Sequence, residues 1–275
     1  IYYDNEFDMN HQINKNKVNV HDYYPDEWIP LPSYNIRTFS NTIVTAYFPI
    51  KKSKHGGNKY LNWMTNILSL QDPMIIFTTN DMQERIKYIR QNRKTKIIVM
   101  KLEDCMMYKK YSPKFWNEQL NSDPEKSIHS KELFIIWNEK INFLKEAIQL
   151  NPFNSKFFAW FDIGYFRNSE YNNNIMLQKI PESLNKNQVM LLNVSTLLNK
   201  KYLGGGFIGG YIEGIEKFHT NYYRYLENNK HFFIGEDQNN MYKVCESNSQ
   251  LCILVNPNDD IKNKWFYISY YLKNY

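Results

Sequence analysis

Six short apolar runs separated by stretches of helical periodicity constrain the fold of this chain more than any other feature. They are TIVTAYF (42–48), PMIIFTT (73–79), KIIVMK (96–101), FFAWFD (157–162), VMLLNV (189–194) and LCILV (251–255). Runs this short and this continuously apolar predict strands buried on both faces, and such strands belong to a mainly parallel sheet. Helical spacing between them predicts crossover helices: YLNWMTNILSL (60–70) follows the first run, and NDMQERIKYIRQN (80–92) follows the second. Asn80 with Gln83 three residues on reads as a capping box, and Asp123-Pro124-Glu125 reads as another helix start with proline at the first helical position. The clearest helix is SKELFIIWNEKINFLKEAIQL (130–150), where Leu133, Trp137, Ile141, Leu144 and Ile148 share one face and Asn151-Pro152 ends it.

The expected architecture is therefore α/β: one domain over residues 41–275, with a mainly parallel central sheet flanked by helices. Ligands of such sheets bind beyond the carboxyl ends of the strands. Residues 1–40 are polar, and their proline-bearing end, DYYPDEWIPLPSYN, predicts an extended N-terminal arm.

Composition excludes several classes. With 275 residues, 43% of them hydrophobic and 16% aromatic, the chain can build a large core. The net charge of +6 is mild, and the two densest basic groups, IKKSKHGGNKY and RIKYIRQNRKTK, are cut by polar residues rather than forming a stripe. Nucleic acid is therefore not the expected partner, and a pocket for a small phosphorylated ligand accounts for the charge equally well. No run approaches the ~18 apolar residues of a membrane span. The chain begins at Ile1 rather than Met, which leaves room for an upstream signal or anchor. Cys105, Cys245 and Cys252 form no metal-binding spacing and read as reduced structural thiols, so a cytoplasmic location is expected.

Three segments carry candidate chemistry. KFFAWFDIGYFR (156–167) drives a strand into one acid, Asp162, followed by a glycine turn and Arg167. A carboxylate at that edge either caps a turn or holds a divalent cation that neutralises a diphosphate. YLGGGFIGGY (202–211) reads as a glycine-rich loop or hairpin that lets the backbone approach a ligand, and it lacks the lysine and spacing of a P-loop. FFIGEDQNNMY (232–242) places Glu236, Asp237 and Gln238 at a helix start, where they either complement the helix dipole or bond sugar hydroxyls.

In that order the three segments follow the layout of GT-A glycosyltransferases. More specifically, TIVTAYF, the helix carrying Trp137 and Lys140, NPFNSKFFAWFDIGYFR, GGGFIGG, EDQ and the terminal NKWF resemble the HtrL/WlaTC-type glycosyltransferase family, over about residues 41–270. The resemblance implies a single GT-A-like, Rossmann-type domain. It implies an enzyme moving a sugar from a nucleotide-sugar donor, a UDP-sugar, to a glycan or other hydroxyl acceptor. In that scheme Thr45, Ala46 and Tyr47 cradle the base and ribose, and Lys140 reaches the nucleotide. Asp162 takes an acid position of the Asp-x-Asp motif and binds Mn²⁺ or Mg²⁺ with the donor. Gly205, Gly206 and Phe207 shape the sugar pocket, Glu236, Asp237 and Gln238 are the catalytic group, and Lys264 with Trp265 meets the diphosphate.

Two positions depart from the family pattern. Gly164 stands where the second acid of Asp-x-Asp is expected, and no histidine follows His231. Asp259, Asp260 and Lys262 lie near the C-terminus as further charged groups. Read as Gly-Glu-Asp, the third segment looks like the base of an inverting enzyme; read as Asp-Gln, it looks like a retaining one. The competing class is a catalytically inactive glycan-binding module on the same fold, which has no donor hydrolysis.

Overall fold

The computed structural model describes residues 41–52, 55, 57–195, 201–258 and 263–274. The expected N-terminal arm, Asp259, Asp260 and Lys262 lie outside them. All six apolar runs form strands: β1 (Asn41–Tyr47), β2 (Met74–Thr78), β3 (Thr95–Val99), β4 (Phe157–Phe161), β5 (Val189–Asn193) and β7 (Cys252–Val255). The glycine-rich segment, read as a loop or hairpin, is instead one continuous strand, β6 (Leu203–Tyr211). The helices are α1 (Gly57–Leu68), α2 (Gln83–Arg90), α3 (Met106–Lys110), α4 (Pro113–Ser122), α5 (Lys131–Leu150), α6 (Ile212–Asn229), α7 (Asp237–Ser247) and α8 (Tyr267–Asn274).

The sheet has seven strands in the order β3-β2-β1-β4-β6-β5-β7. Every pairing is parallel except those of β6, which is antiparallel to both β4 and β5. From β1 the chain steps outward through β2 to β3, then returns to place β4 on the other side of β1. The gap between the ends of β1 and β4 is therefore a topological switch point, where a ligand crevice opens in folds of this kind.

Alternation along the buried strands feeds two apolar layers. Val44, Ala46, Phe158 and Trp160 face one layer, closed by α3 to α7. Ile43, Phe157, Ala159 and Phe161 face the other, closed by α1, α2 and α8. This period of two decides where Asp162 goes: it follows 158 and 160 onto the α5 side of the sheet.

Three local expectations are corrected. Asn80–Met82 forms a single 3-10 turn and α2 starts at Gln83, with no side-chain cap at either start; burial of Met82 holds the turn instead. Asp123 does not open a helix but closes α4, and α5 begins at Lys131 under the Ser130 hydroxyl, which accepts from the Leu133 amide. The carboxylate of Asp123 is drawn away to the Glu125 amide and to His129. The third correction concerns the thiols. Cys245, near the end of α7, and Cys252, at the start of β7, are seven residues apart with Cα atoms 5.6 Å from each other, and they form a disulfide. Cys105 alone remains free and buried.

One of the basic groups is spent on the fold. The buried Arg90 guanidinium donates to the carbonyls of Leu68, Leu70, Asp72 and Lys94 and to the Thr95 hydroxyl, tying the α1–β2 and α2–β3 turns together.

Candidate functional site

Asp162 leaves β4 at the switch point, and its amide donates to the Gly206 carbonyl at 3.0 Å. Its Oδ1 accepts from Trp160 Nε1 at 2.8 Å, a bond made possible because positions 160 and 162 share a face of the strand. On that face lies α5, whose Lys140 sends Nζ to within 3.0 Å of the same Oδ1. Lys140 Nζ also donates to the Gly205 carbonyl and to Asp237 Oδ2, each at 2.8 Å. The opening acid of α7 is thus joined to the acid ending β4 through one ammonium group. Lys140 and Asp237 have side chains 3% and 5% exposed, whereas Asp162 is 38% exposed. The buried part of the cluster is therefore Lys140–Asp237, and Asp162 is its open end.

Burial disfavours charge on Lys140, but Asp162 and Asp237 outweigh it and hold the ammonium more firmly protonated than usual. Burial pushes the Asp237 carboxyl up to about 6 despite the opposing pull of Lys140, so at neutral pH it remains ionised. Two carboxylates around one ammonium leave one negative charge in excess. A divalent cation at Asp162 would offset that excess.

The glycines of β6 make the convergence possible. Pairing with β5 jumps from Leu191↔Ile208 to Leu192↔Gly204, so Gly205, Gly206 and Phe207 bulge out of the β5 register while β6 still follows β4. A Cβ on Gly205 would lie 3.0 Å from Asp237 Oδ2, and one on Gly206 would lie 2.8 Å from the ring of Tyr165. Both positions need a bare backbone because side chains approach them closely, not because of a left-handed conformation. Gly205→Ala is therefore expected to wedge against the Lys140–Asp237 pair and lower stability by about 1–3 kcal/mol, read as a fall in Tm; an unchanged Tm would show that the pair has slack.

Lys140, Asp162, Gly205, Gly206 and Asp237 thus meet at one place, and Gln238 joins them, its Cγ 3.3 Å from where a Gly205 Cβ would stand. Other expected residues fall elsewhere. Phe207 does not line a pocket: its ring is buried against Phe161 at 4.9 Å, in the layer opposite α5. Thr45 and Ala46 are buried within β1, leaving the partly exposed Tyr47 as the β1 side chain at the switch point. Glu236 accepts from the Tyr202 hydroxyl at 3.0 Å and takes no part in the Lys140 cluster. Lys264 and Trp265 lie in the 3-10 turn Lys264–Phe266. That turn returns to the Asp162 loop, since Phe266 packs on the Tyr165 ring at 5.2 Å and lies 5.2 Å from the Arg167 guanidinium.

The sequence reading missed the α1 aromatics. Arg167 stacks on Trp63 at 3.4 Å, and Tyr60 sits edge-on to Trp63 at 5.4 Å. Tyr60 lies within the field of Asp162, Arg167 and Lys140. Trp63 and Tyr60 fall in a crossover helix, and no local signal distinguishes them from aromatics of the core.

As a metal position, Asp162 provides Oδ2 alone, Oδ1 being taken by Lys140 and Trp160. It fits a cation that brings its other ligands as water and phosphate, the habit of Mg²⁺, rather than a closed protein cage. Among the described residues, the group of three metal-ligating side chains within reach of one another is a different one: Asp123, His129 and Glu236.

Residues 39–272 match a family described as "Bacterial protein of unknown function (HtrL_YibB)". The chain belongs to the HtrL_YibB family. That match spans every strand of the sheet and all the site residues above. Over 149 residues this HtrL_YibB chain is 28% identical to Protein HtrL of Escherichia coli (strain K12), an alignment covering 46% of the chain and 51% of that protein. The chain thus spans about half the length of the curated relative it matches. A solved structure, 4-diphosphocytidyl-2C-methyl-D-erythritol synthase from Anaerococcus prevotii, superposes with a TM-score of 0.41 at 13% identity, covering 85% of this chain and 96% of that one.

Proposed function

We propose that this HtrL_YibB protein is a glycosyltransferase that moves a sugar from a UDP-sugar to a hydroxyl of a glycan acceptor. The observation that carries the reading is Asp162 at the β1/β4 switch point, half open to solvent and pinned by the buried Lys140. A lone acid placed to cap a turn needs no buried ammonium behind it. Trp160 and Lys140 both engage Oδ1 of Asp162, which leaves Oδ2 for the donor in this reading. Mg²⁺ or Mn²⁺ bound at that oxygen would neutralise charge building on the leaving diphosphate.

The chain's own residues divide the remaining work. Asp237 is buried and committed to Lys140, which suits a positioning residue better than a base drawing a proton from an acceptor. Gln238, beside the bare Gly205 backbone, offers an amide to a sugar hydroxyl. Tyr47, at the end of β1, borders the space for base and ribose, and the Lys264–Phe266 turn with Arg167 brings positive charge to the diphosphate side. Catalysis by such a site comes from alignment and electrostatics.

The test is donor hydrolysis. Full-length protein is incubated with a panel of UDP-sugars and Mg²⁺ or Mn²⁺, and UDP release is measured. Release from at least one donor, lost in Asp162→Asn, is the expected result. Absence of release from every donor, together with retained binding to glycans, would instead favour a non-catalytic glycan-binding module.

A further inference from the structure

A second cluster, outside the Lys140 site, joins the turn before α5 to the residue before α7. Asp123, His129 and Glu236 each offer one ligand atom, and these atoms lie within 4.8 Å of one another. We propose that this cluster, with Glu125 at its rim, binds a divalent cation of the zinc class. The proposal does not depend on the transferase reading.

The imidazole is the centre of the argument. His129 is 3% exposed and the carboxylate of Asp123 is fully buried. Asp123 Oδ2 lies 2.8 Å from His129 Nδ1, while Asp123 Oδ1 accepts the Glu125 amide at 2.8 Å. Trp137 and Phe134 pack edge-on to the ring, with centroids 5.0 and 6.1 Å away, so its orientation is fixed. A carboxylate bonded to one nitrogen of a buried histidine is the arrangement that orients the other nitrogen toward a metal.

That other nitrogen, Nε2, has Glu125 Oε2 at 3.7 Å. This is too long for a hydrogen bond, yet close to the separation of two donors each about 2 Å from one ion. Glu236 offers an oxygen to the same group of ligand atoms and accepts the Tyr202 hydroxyl at 3.0 Å, in the manner of a ligand with an outer-shell partner. In the proposed site His129 and Glu236 are the inner donors, Asp123 orients the imidazole rather than meeting the ion, Glu125 adds an oxygen, and water completes the set. An imidazole among carboxylates favours Zn²⁺ over Mg²⁺.

The placement gives such an ion a consequence. It would tie the start of α5, which carries Lys140, to the start of α7, which begins with Asp237. Binding would therefore clamp together the two helices that hold the buried ion pair.

The test uses full-length, tag-free protein stripped with a chelator, titrated with Zn²⁺ by calorimetry and melted with and without it. One equivalent of Zn²⁺ should bind, and at a hundredfold excess over Kd the Tm should rise by about 5 °C or more. Mg²⁺ at equal concentration should not raise it. His129→Gln should abolish binding, and Glu236→Gln should weaken it at least tenfold. Glu236→Gln also guards against misfolding, because it leaves the buried Asp123–His129 bond in place. Asp162→Asn should retain the full equivalent. No Zn²⁺ binding by the wild type, or binding of unchanged affinity in Glu236→Gln, overturns the proposal.

Discussion

Lys140→Met is expected to lower the melting temperature by about 6 °C or more: stranding a buried charge costs about 3–5 kcal/mol, and each kcal/mol is worth about 2–4 °C in a domain of this size. The variant keeps an aliphatic chain of similar length but removes the ammonium that Asp237, Asp162 and the Gly205 carbonyl all share. Asp237, with a side chain only 5% exposed, is left without its cation. Adding Asp237→Asn removes the orphan charge, so the double variant should be more stable than Lys140→Met alone, a coupling that a double-mutant cycle reads directly.

The pH dependence has a definite sign. In the wild type Asp237 has a folded pKa of about 6, above its ordinary 3.8, because burial outweighs Lys140. Its contribution to stability is fully present below 3.8 and is lost as pH rises through about 6. Without Lys140 that pKa moves higher still, so the deficit of Lys140→Met should be largest at neutral pH and shrink on acidification. A variant melting within about 1 °C of wild type at neutral pH, less than the shift of a single kcal/mol, would mean that water already screens the pair.

Asp162→Asn should behave differently. The side chain is 38% exposed, and asparagine preserves its shape and an oxygen for Trp160 Nε1. Loss of this partly solvated charge should cost little stability, about 1 kcal/mol or less. Turnover of the donor, by contrast, should fall about 100-fold or more, the usual penalty for removing a preorganised electrostatic contact to a leaving group. A stable, folded and inactive Asp162→Asn beside a destabilised Lys140→Met would separate the group that meets the donor from the group that holds it. Equal effects of the two substitutions on Tm would place Asp162 in the structural core of the cluster instead.

Much of this was legible because apolar runs report burial directly. Six of the seven strands announced themselves as short apolar stretches, and the place of Asp162 at the end of one of them put it at the sheet edge. Local chemistry was less reliable wherever a tertiary contact outbid it. Asp123-Pro124 has the composition of a helix start, yet His129 claims its carboxylate. The glycine-rich segment looks like a loop, but β4 and β5 on either side provide ladders that override the low strand propensity of glycine.

Other features had no local trace at all. Asn138, Glu139 and Lys140 are three consecutive polar residues on α5, and all three are buried. Asn138 is consumed by the Ile234 and Gly235 carbonyls, and Glu139 by the Met106 and Met107 amides at the start of α3. Each partner is remote in sequence, so a helical wheel shows only an interrupted apolar face. The Cys245–Cys252 bond depends likewise on the 3-10 turn Ser249–Leu251, which brings the start of β7 back to the end of α7, and cysteine spacing does not encode that turn.

The most direct test of the account is calorimetric titration of UDP into wild type and Asp162→Asn, each with Mg²⁺, with Mn²⁺ and with chelator. UDP binding should require a divalent cation and be lost, or weakened at least tenfold, in Asp162→Asn. A wild type that binds no UDP under any of these conditions, or an Asp162→Asn that binds it as tightly as the wild type, would contradict it.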